Sequence, residues 1–296
     1  MPELNKKILF VSFEHFADLA YNLLKDELIH FHVIQYEVWN RLDLISKILL
    51  LRKYDIVHSF WAKNSYNDII ACRLTGTKYI NHYIGSDVLH VTKGSRKALR
   101  KALTIHKYSW KTLADSENLI EELKCAGIDN VGLLQIFFYD KSLLTESSDD
   151  LKEKSVLTYI PEGKEDFYGL DFIVEAAKKF PLTKFIVSAN SGKYENMPAN
   201  IVFLGWVNNI DKYLEECFIY IRNTKHDGFP TSVMQALLRG KHVLCTQKIP
   251  FTKTVSIEGI AECLNMNDPN EKGRDFALKN YSKEEVIKKF LDVYKC

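Results

Sequence analysis

The residues best placed for chemistry stand in one run, Lys225-His226-Asp227-Gly228-Phe229-Pro230-Thr231-Ser232, with Gln235 just beyond it. An apolar strand at 218–221 leads into the run. A helical pattern follows, with Val233, Met234, Leu237 and Leu238 on its buried side and Gly240 as a left-handed closing residue. Strand, tight loop and helix N-terminus together aim backbone N–H groups and the positive end of a helix dipole at one spot. That spot suits a phosphate or diphosphate. Thr231 and Ser232 can cap the helix. Asp227 can take sugar hydroxyls, and Gln235, eight positions on, is a second polar candidate.

A second loop, Ile84-Gly85-Ser86-Asp87-Val88, follows an expected strand at 78–83. Glycine, hydroxyl and carboxylate at a strand end can form a ligand loop. They can equally form an ordinary turn in which Asp87 caps the next helix, and the sequence leaves both open. Residues 92–107 are expected to form one basic amphipathic helix. Lys93, Lys97 and Lys101 recur every four residues beside Arg96 and Arg100, with Ala98, Leu99, Ala102 and Leu103 opposite. This face either meets an anionic acceptor or an anionic lipid surface, or is simply solvated.

Elements to position these residues recur along the chain. Strand patterns at 6–13, 32–36, 55–61, 78–83, 111–116 and 131–138 alternate with helical ones at 16–28, 43–51, 67–74 and 117–126. Alternation of this kind makes a parallel sheet with helices on both faces. The composition turns polar and serine-rich at 140–154, a linker, and the α/β pattern then restarts. The fold class is therefore α/β with two Rossmann-like domains, 1–150 and 151–280, and a closing helix in 281–296. In such sheets ligands bind beyond the carboxyl ends of the strands.

Bulk properties agree. The chain has 296 residues, 46% hydrophobic and 26% charged, enough for two cores. A net charge of +2 is too close to balance to make nucleic acid the partner. The opening MPELNKKILFVSF enters a strand at once, without the apolar stretch of a signal peptide, and no segment is long and apolar enough to span a bilayer. The six cysteines have no C-x-x-C spacing, so reduced, buried thiols in a cytoplasmic protein are expected. There is no G-x-G-x-x-G, no P-loop, no G-x-S-x-G, no metal-ligand cluster and no D-x-D. No metal or cofactor is expected, and helix dipole, backbone amides and Lys or Arg would have to neutralise a diphosphate.

The two domains, the Gly85-Ser86-Asp87 loop and the pattern D-G-F-P-x(4)-Q-A-x(3)-G-K-x-V over 227–243 resemble the GT-B glycosyltransferases, in particular the retaining group called family four. Thr112-Leu113-Ala114-Asp115-Ser116 through Ala126-Gly127-Ile128, Phe203-Leu204-Gly205-Trp206-Val207, and Tyr281-Ser282 with the closing helix extend the likeness over most of the chain. The resemblance implies sugar transfer from a nucleotide-sugar donor to a glycan or lipid-linked acceptor, as in polysaccharide biosynthesis, without metal and with retention. It places Gly228, Phe229, Pro230, Thr231 and Ser232 on the diphosphate and sugar, and Trp206 and Val207 along the nucleobase. Asp227 and Gln235 stand where the family has two glutamates, on the sugar and the ribose. Gly85, Ser86 and Asp87 border the cleft, and His82 lies close to a histidine that faces the reacting sugar. The closing helix often crosses back to the first domain.

The sequence departs from that pattern in four places. The paired glutamates are Asp227 and Gln235. The arginine and lysine positions for the diphosphate hold Pro161 and Tyr168, with Lys164 as the substitute. Residues 12–17 lack glycine, and the first domain is short. The departures keep a second reading open, a degenerate GT-B protein that binds a nucleotide sugar or a partner enzyme without efficient transfer.

Overall fold

The structure, a computed structural model, describes residues 6–27, 30–61, 65–139 and 154–295. Of the expected linker 140–154, only Lys154 falls among them. The chain divides into two compact units, Met1–Phe138 with Lys283–Cys296, and Tyr139–Ser282.

In the first unit the strands are β1 (Ile8–Ser12), β2 (Phe31–Gln35), β3 (Ile56–Phe60), β4 (Lys78–Tyr83), β5 (Lys111–Ala114) and β6 (Val131–Leu133). They form a parallel sheet in the order β2-β1-β3-β4-β5-β6. Between them run α1 (Glu14–Leu24), α2 (Tyr36–Arg41), α3 (Leu44–Leu51), α4 (Tyr66–Thr75), α5 (Ser86–Thr92), α6 (Arg96–Tyr108) and α7 (Glu117–Cys125). The second unit has β7 (Val156–Tyr159), β8 (Phe185–Ser188), β9 (Ile201–Phe203), β10 (Ile219–Arg222) and β11 (His242–Cys245), parallel in the order β11-β10-β7-β8-β9. Its helices are α8 (Glu165–Tyr168), α9 (Leu170–Lys179), α10 (Asp211–Glu216), α11 (Thr231–Leu238), α12 (Ile257–Leu264) and α13 (Glu271–Asn280). The last helix, α14 (Lys283–Tyr294), belongs to the first unit.

Two expectations fail locally, and three helices had none. The helix expected over 92–107 starts only at Arg96, because the chain turns at Gly94, which lies so close to the carbonyl of His90 that a Cβ there would sit 1.9 Å from the oxygen. α6 restarts after Ser95, whose hydroxyl accepts from the Ala98 N–H, and Lys93 falls in the break. The strand expected over 131–138 ends at Leu133, although Leu134 and Ile136 stay buried. Helices α2, α8 and α13 carry too little apolar periodicity to be read from sequence.

Side-chain alternation sorts the first unit's core into two layers. Ile8, Phe10, Ile56 and Phe60 pack with α1 and α14. Leu9, Val11 and Val57 face α2, α3 and α4 on the other side. Within that second layer Lys47 of α3 and Asp68 of α4 form a buried ion pair of 2.6 Å, and the Trp39 indole N–H donates to the same carboxylate oxygen at 3.0 Å. Ser65 N–H donates to the other oxygen at 2.7 Å, so both oxygens are satisfied, as burial requires.

Two buried histidines link the first sheet to α14. The Tyr294 hydroxyl lies 2.7 Å from His58 Nδ1, His58 Nε2 lies 3.0 Å from His82 Nδ1, and His82 Nε2 lies 2.9 Å from the Leu134 carbonyl. A carbonyl only accepts, so His82 Nε2–H donates to it. Each remaining proton then has one place: His58 Nε2–H donates to His82, and the tyrosine O–H donates to His58. An extra proton on His82 Nδ1 would meet the His58 Nε2–H donor, whereas one on His58 Nδ1 would require the tyrosine hydroxyl to turn from donor to acceptor. Burial disfavours the charged forms, pushing His58 well below the ordinary imidazole value and His82 down to about 3. Above pH about 6.5 both rings are neutral folded or unfolded, and the network contributes in full. As pH falls the unfolded chain takes up protons that the folded chain refuses, so stability drops between about 6.5 and 3. The urea midpoint should fall over this window, and Tyr294→Phe should cost about 1–3 kcal/mol at neutral pH by leaving His58 Nδ1 unpaired. A midpoint flat from pH about 7 to 4 would contradict neutral histidines.

Candidate functional site

In the second unit the chain builds outward from β7 through β8 to β9, then crosses to β10 and β11 on the other side. The reversal lies between β7 and β10, and the crevice beyond their carboxyl ends is where such a sheet receives a ligand. β7 ends at Tyr159 and β10 at Arg222.

Arg222 organises this end. Its Nε and Nη2 both donate to Asp227 Oδ2, at 2.7 and 2.6 Å. Its guanidinium lies 5.0 Å from the ring centre of Tyr168 and 5.8 Å from that of Tyr159. The side chains of Arg222 and Asp227 are only 12% and 19% exposed, so the pair is weakly screened. Asp227 Oδ1 has no partner among the described residues. The loop is held elsewhere too. The Gln247 amide donates to the carbonyls of Asp227 and Gly228, each at 2.8 Å. Lys225 N–H donates to the Phe167 carbonyl, and the Lys225 ammonium pairs with Asp166. Gly169 packs against Asn223 so closely that a Cβ would come within 2.1 Å of the amide nitrogen, and its φ of +69° favours glycine as well.

α11 starts at Thr231, with Pro230 at the N-cap and no side-chain cap. Thr231 and Ser232 therefore do not cap it, a correction to the sequence reading; they stand in its first turn, where N–H groups have no intrahelical acceptor. Gly240 is left-handed after the helix, with φ +67°. Phe229 packs on Tyr281, ring centres 5.3 Å apart, and Gln235 lies half-buried on α11.

The neighbouring loops are tied together. Glu165 Oε1 accepts from the Tyr194 hydroxyl, the Gly163 N–H and the Asn190 amide. Those bonds, Tyr194 foremost, hold the Glu165 carboxyl down at about 2. Lys164 is exposed at the start of α8. Trp206, 77% exposed, and half-buried Val207 follow Gly205, which pairs with Asn190.

The candidates of the first unit lie in its core and in the turn after β4. His82 has no exposed surface, and both ring nitrogens are engaged in the buried chain to Tyr294 and Leu134. It is a core histidine, with no free nitrogen to offer a sugar. Asp87 accepts from the N–H groups of Gly85, Val88 and Ile84 at 2.8, 3.1 and 3.2 Å, so its buried carboxylate shapes its own turn. Gly85, at φ 150°, takes the backbone conformation that turn needs, and Ser86 is exposed. Sequence reasoning missed Arg222, Tyr159, Gln247 and Glu165. Arg222 had a signal, a lone cation ending the apolar run 218–221; the others had none, since their partners are distant in sequence.

Comparison with solved structures decides the fold. The chain superposes on HepE of Anabaena, solved with UDP-glucose, with a TM-score of 0.71, 15% identity, and coverage of 98% of this chain and 99% of that one. Sucrose-phosphate synthase of Thermosynechococcus elongatus gives 0.70 at 11% identity, covering 98% of each chain. A glycosyltransferase of Rickettsia africae gives 0.70 at 14%, again with 98% of each covered. The chain has the GT-B glycosyltransferase fold. Comparisons with protein-family models and with curated proteins give no match.

Within the GT-B fold the Arg222–Asp227 pair has a measurable stability role. Arg222→Leu strands a half-buried carboxylate and should lower unfolding free energy by about 2 kcal/mol, less than a fully buried pair because of partial exposure. Replacing both residues by leucine should recover part of that loss in urea titrations. Equal stability of Arg222→Leu and wild type would show that the pair is not formed.

Proposed function

We propose that the protein is a glycosyltransferase that moves a sugar from a nucleoside-diphosphate sugar to a glycan or lipid-linked acceptor, as in polysaccharide biosynthesis. The observation that carries this reading is the Asp227 carboxylate at the β7–β10 reversal, clamped through one oxygen by Arg222 with the other oxygen open. Asp227 Oδ1 receives hydroxyls of the donor sugar. The clamp offsets the methylene by which aspartate is shorter than the family's glutamate, because a held carboxylate needs no reorganisation on binding.

The diphosphate lies against the first turn of α11 and the Gly228–Pro230 backbone, where helix dipole and N–H groups stabilise negative charge. Tyr168 occupies the family's lysine position, and the cation over its ring is Arg222, arriving from the neighbouring strand. Arg222 and Lys164 therefore take over the leaving-group charge, without a metal. Gln235 bonds the ribose, and Trp206 and Val207 flank the base. HepE, solved with UDP-glucose and with UDP and glucose, supports a uridine donor.

The bond from the anomeric carbon to the diphosphate oxygen breaks, the acceptor oxygen takes that carbon on the same face, and the acceptor proton passes to the leaving diphosphate. The product keeps the donor's anomeric configuration. On the acceptor side, the exposed basic residues Arg96, Lys97 and Arg100, with Lys101 and Lys93 near them, attract an anionic acceptor or an anionic lipid surface, at the cytoplasmic face of a membrane.

A panel of nucleotide sugars with glycan and lipid-linked acceptors, read by nucleoside diphosphate release and product anomer, tests this. Turnover should survive EDTA. Asp227→Ala and the isosteric Asp227→Asn should each lower kcat by about 10²- to 10³-fold. Nucleoside diphosphate binding should persist in Asp227→Asn. Binding of donors with neither transfer nor hydrolysis across the panel would support the degenerate reading instead, and an inverted product would reject retention.

A further inference from the structure

A cavity of the second unit opens at the amino end of β11, about 10 Å along the strand from its carboxyl end. Its volume is about 690 Å³, in the range of about 300–1,000 Å³ that small-molecule sites occupy. One wall is β11 itself, at His242 and Val243, with residues 251–253 bonded alongside. There Lys253 N–H donates to the Val243 carbonyl and Cys245 N–H to the Lys253 carbonyl. The other wall is the connection 265–270 between α12 and α13. Hydrogen bonds hold both walls in place. The Asn270 amide donates to the carbonyls of Lys241 and Phe251, at 3.3 and 3.0 Å, and so bridges one wall to the other. The Lys154 ammonium donates to the carbonyls of Leu264 and Met266 and to Asn267 Oδ1.

Two side chains in this cavity have capacity that packing does not use. His242 is only 8% exposed. Its Nε2 lies 2.9 Å from the Asp268 carbonyl, which can only accept, so Nε2 carries the proton and Nδ1 is a bare acceptor. Burial lowers the imidazole from its ordinary value and keeps the ring neutral near pH 7. Nδ1 has no partner among the described residues, yet it is not sealed from solvent, so the cavity reaches it. Phe251 lines the same cavity with a ring that is 49% exposed, 5.7 Å from the ring centre of Phe276. Its φ of +63° is left-handed, which a bulky side chain adopts only against a steric penalty. Met266, 36% exposed, adds a second apolar surface.

The charges at the rim are of both signs. Lys253 pairs with Glu262 at 2.6 Å, and Lys272 shares the rim with Asp268 and Glu271. No net charge calls for an ionic ligand, and the two carboxylates oppose a phosphate. An acceptor at Nδ1, a donor in the Asn267 amide, rim carboxylates and an aromatic face match a neutral molecule with hydroxyls around an apolar C–H face. A pyranose is built in that way. We propose that this cavity is a second glycan site, which takes neutral sugar residues of a glycan chain, with one ring face on Phe251 and a hydroxyl donating to His242 Nδ1. Binding here needs no donor. The proposal rests on the transferase reading only for its use, which is to keep a polymeric acceptor on the enzyme between transfers.

The chain has four methionines, so isotope-labelled methionine methyl groups give a simple NMR spectrum in which Met266→Leu assigns the cavity signal. The probes are maltotriose, cellotriose, mannotriose and triacetylchitotriose, added one at a time, with inorganic phosphate as the anionic comparison. At least one trisaccharide should move the Met266 methyl saturably and leave that of Met234, buried in α11, in place. Phe251→Asn puts a residue tolerant of the left-handed backbone at an exposed position, so it should melt like wild type and weaken this binding about tenfold. His242→Phe, which removes the acceptor and keeps a ring, should weaken it about fivefold. No saturable movement of Met266 with any trisaccharide overturns the proposal. So does equal binding by Phe251→Asn, or a Met266 signal that responds to phosphate and to no sugar. UDP binding by calorimetry on the same samples separates the two readings. UDP bound with Met266 unmoved by sugars removes only the second site, and Met266 moved by sugars without UDP binding removes only the donor reading.

Discussion

A single cation at a strand end governs the second unit. Arg222 closes β10 at the point where the sheet reverses its winding, so its guanidinium enters the crevice that a parallel sheet leaves open. Two of its N–H groups are committed to one oxygen of Asp227, and its faces are bounded by tyrosines from the neighbouring strand and from α8. The consequences run outward. Asp227 is fixed in orientation, the loop it begins is fixed with it, and Gln247 pins the carbonyls on either side of the turn. α11 then starts at a determined place, three residues past the pinned Gly228. An arginine suits this work better than a lysine, since its planar fork can bond a carboxylate edge-on while lying over an aromatic ring.

Much of the fold was legible from period alone. The stretches 8–11 and 218–221 are runs of apolar residues buried on both faces, and such runs need parallel neighbours. Ser116 before α7 and Gly240 after α11 act as their residue types predict. Boundaries failed where a local turn interrupted the pattern, as at Gly94, after which the basic helix starts at Arg96. α13 is a polar helix capped by Asn270 and α8 is a single turn without a side-chain cap, and their sequences lack a clear buried stripe.

Within the candidate site, the sequence left open which partner each polar residue finds. Asp227 and Asp87 look alike in sequence, each a carboxylate within two residues of a glycine after a strand. Their fates differ because Asp87 finds three backbone N–H donors within its own turn, whereas Asp227 finds a guanidinium five residues back and keeps one oxygen open. His82 looked catalytic by position. Its strand parity instead turns it toward α14, where desolvation is offset by giving every ring nitrogen a partner. Burial of a polar group is decided by what the opposite element can donate or accept, and that cannot be read from one strand. Beside Tyr168, in the same way, a cation arrives from a distant element, Arg222 of β10.

The central claim is that nucleoside diphosphate binds where Arg222 holds Asp227. Arginine side-chain Nε–H resonances, recorded by two-dimensional NMR and assigned with Arg222→Lys, report on that spot directly. Titration with UDP should move the Arg222 Nε–H signal while leaving the signals of Arg52 and Arg73, in the first unit, in place. A saturating titration that shifts other resonances and leaves Arg222 unmoved would contradict the account.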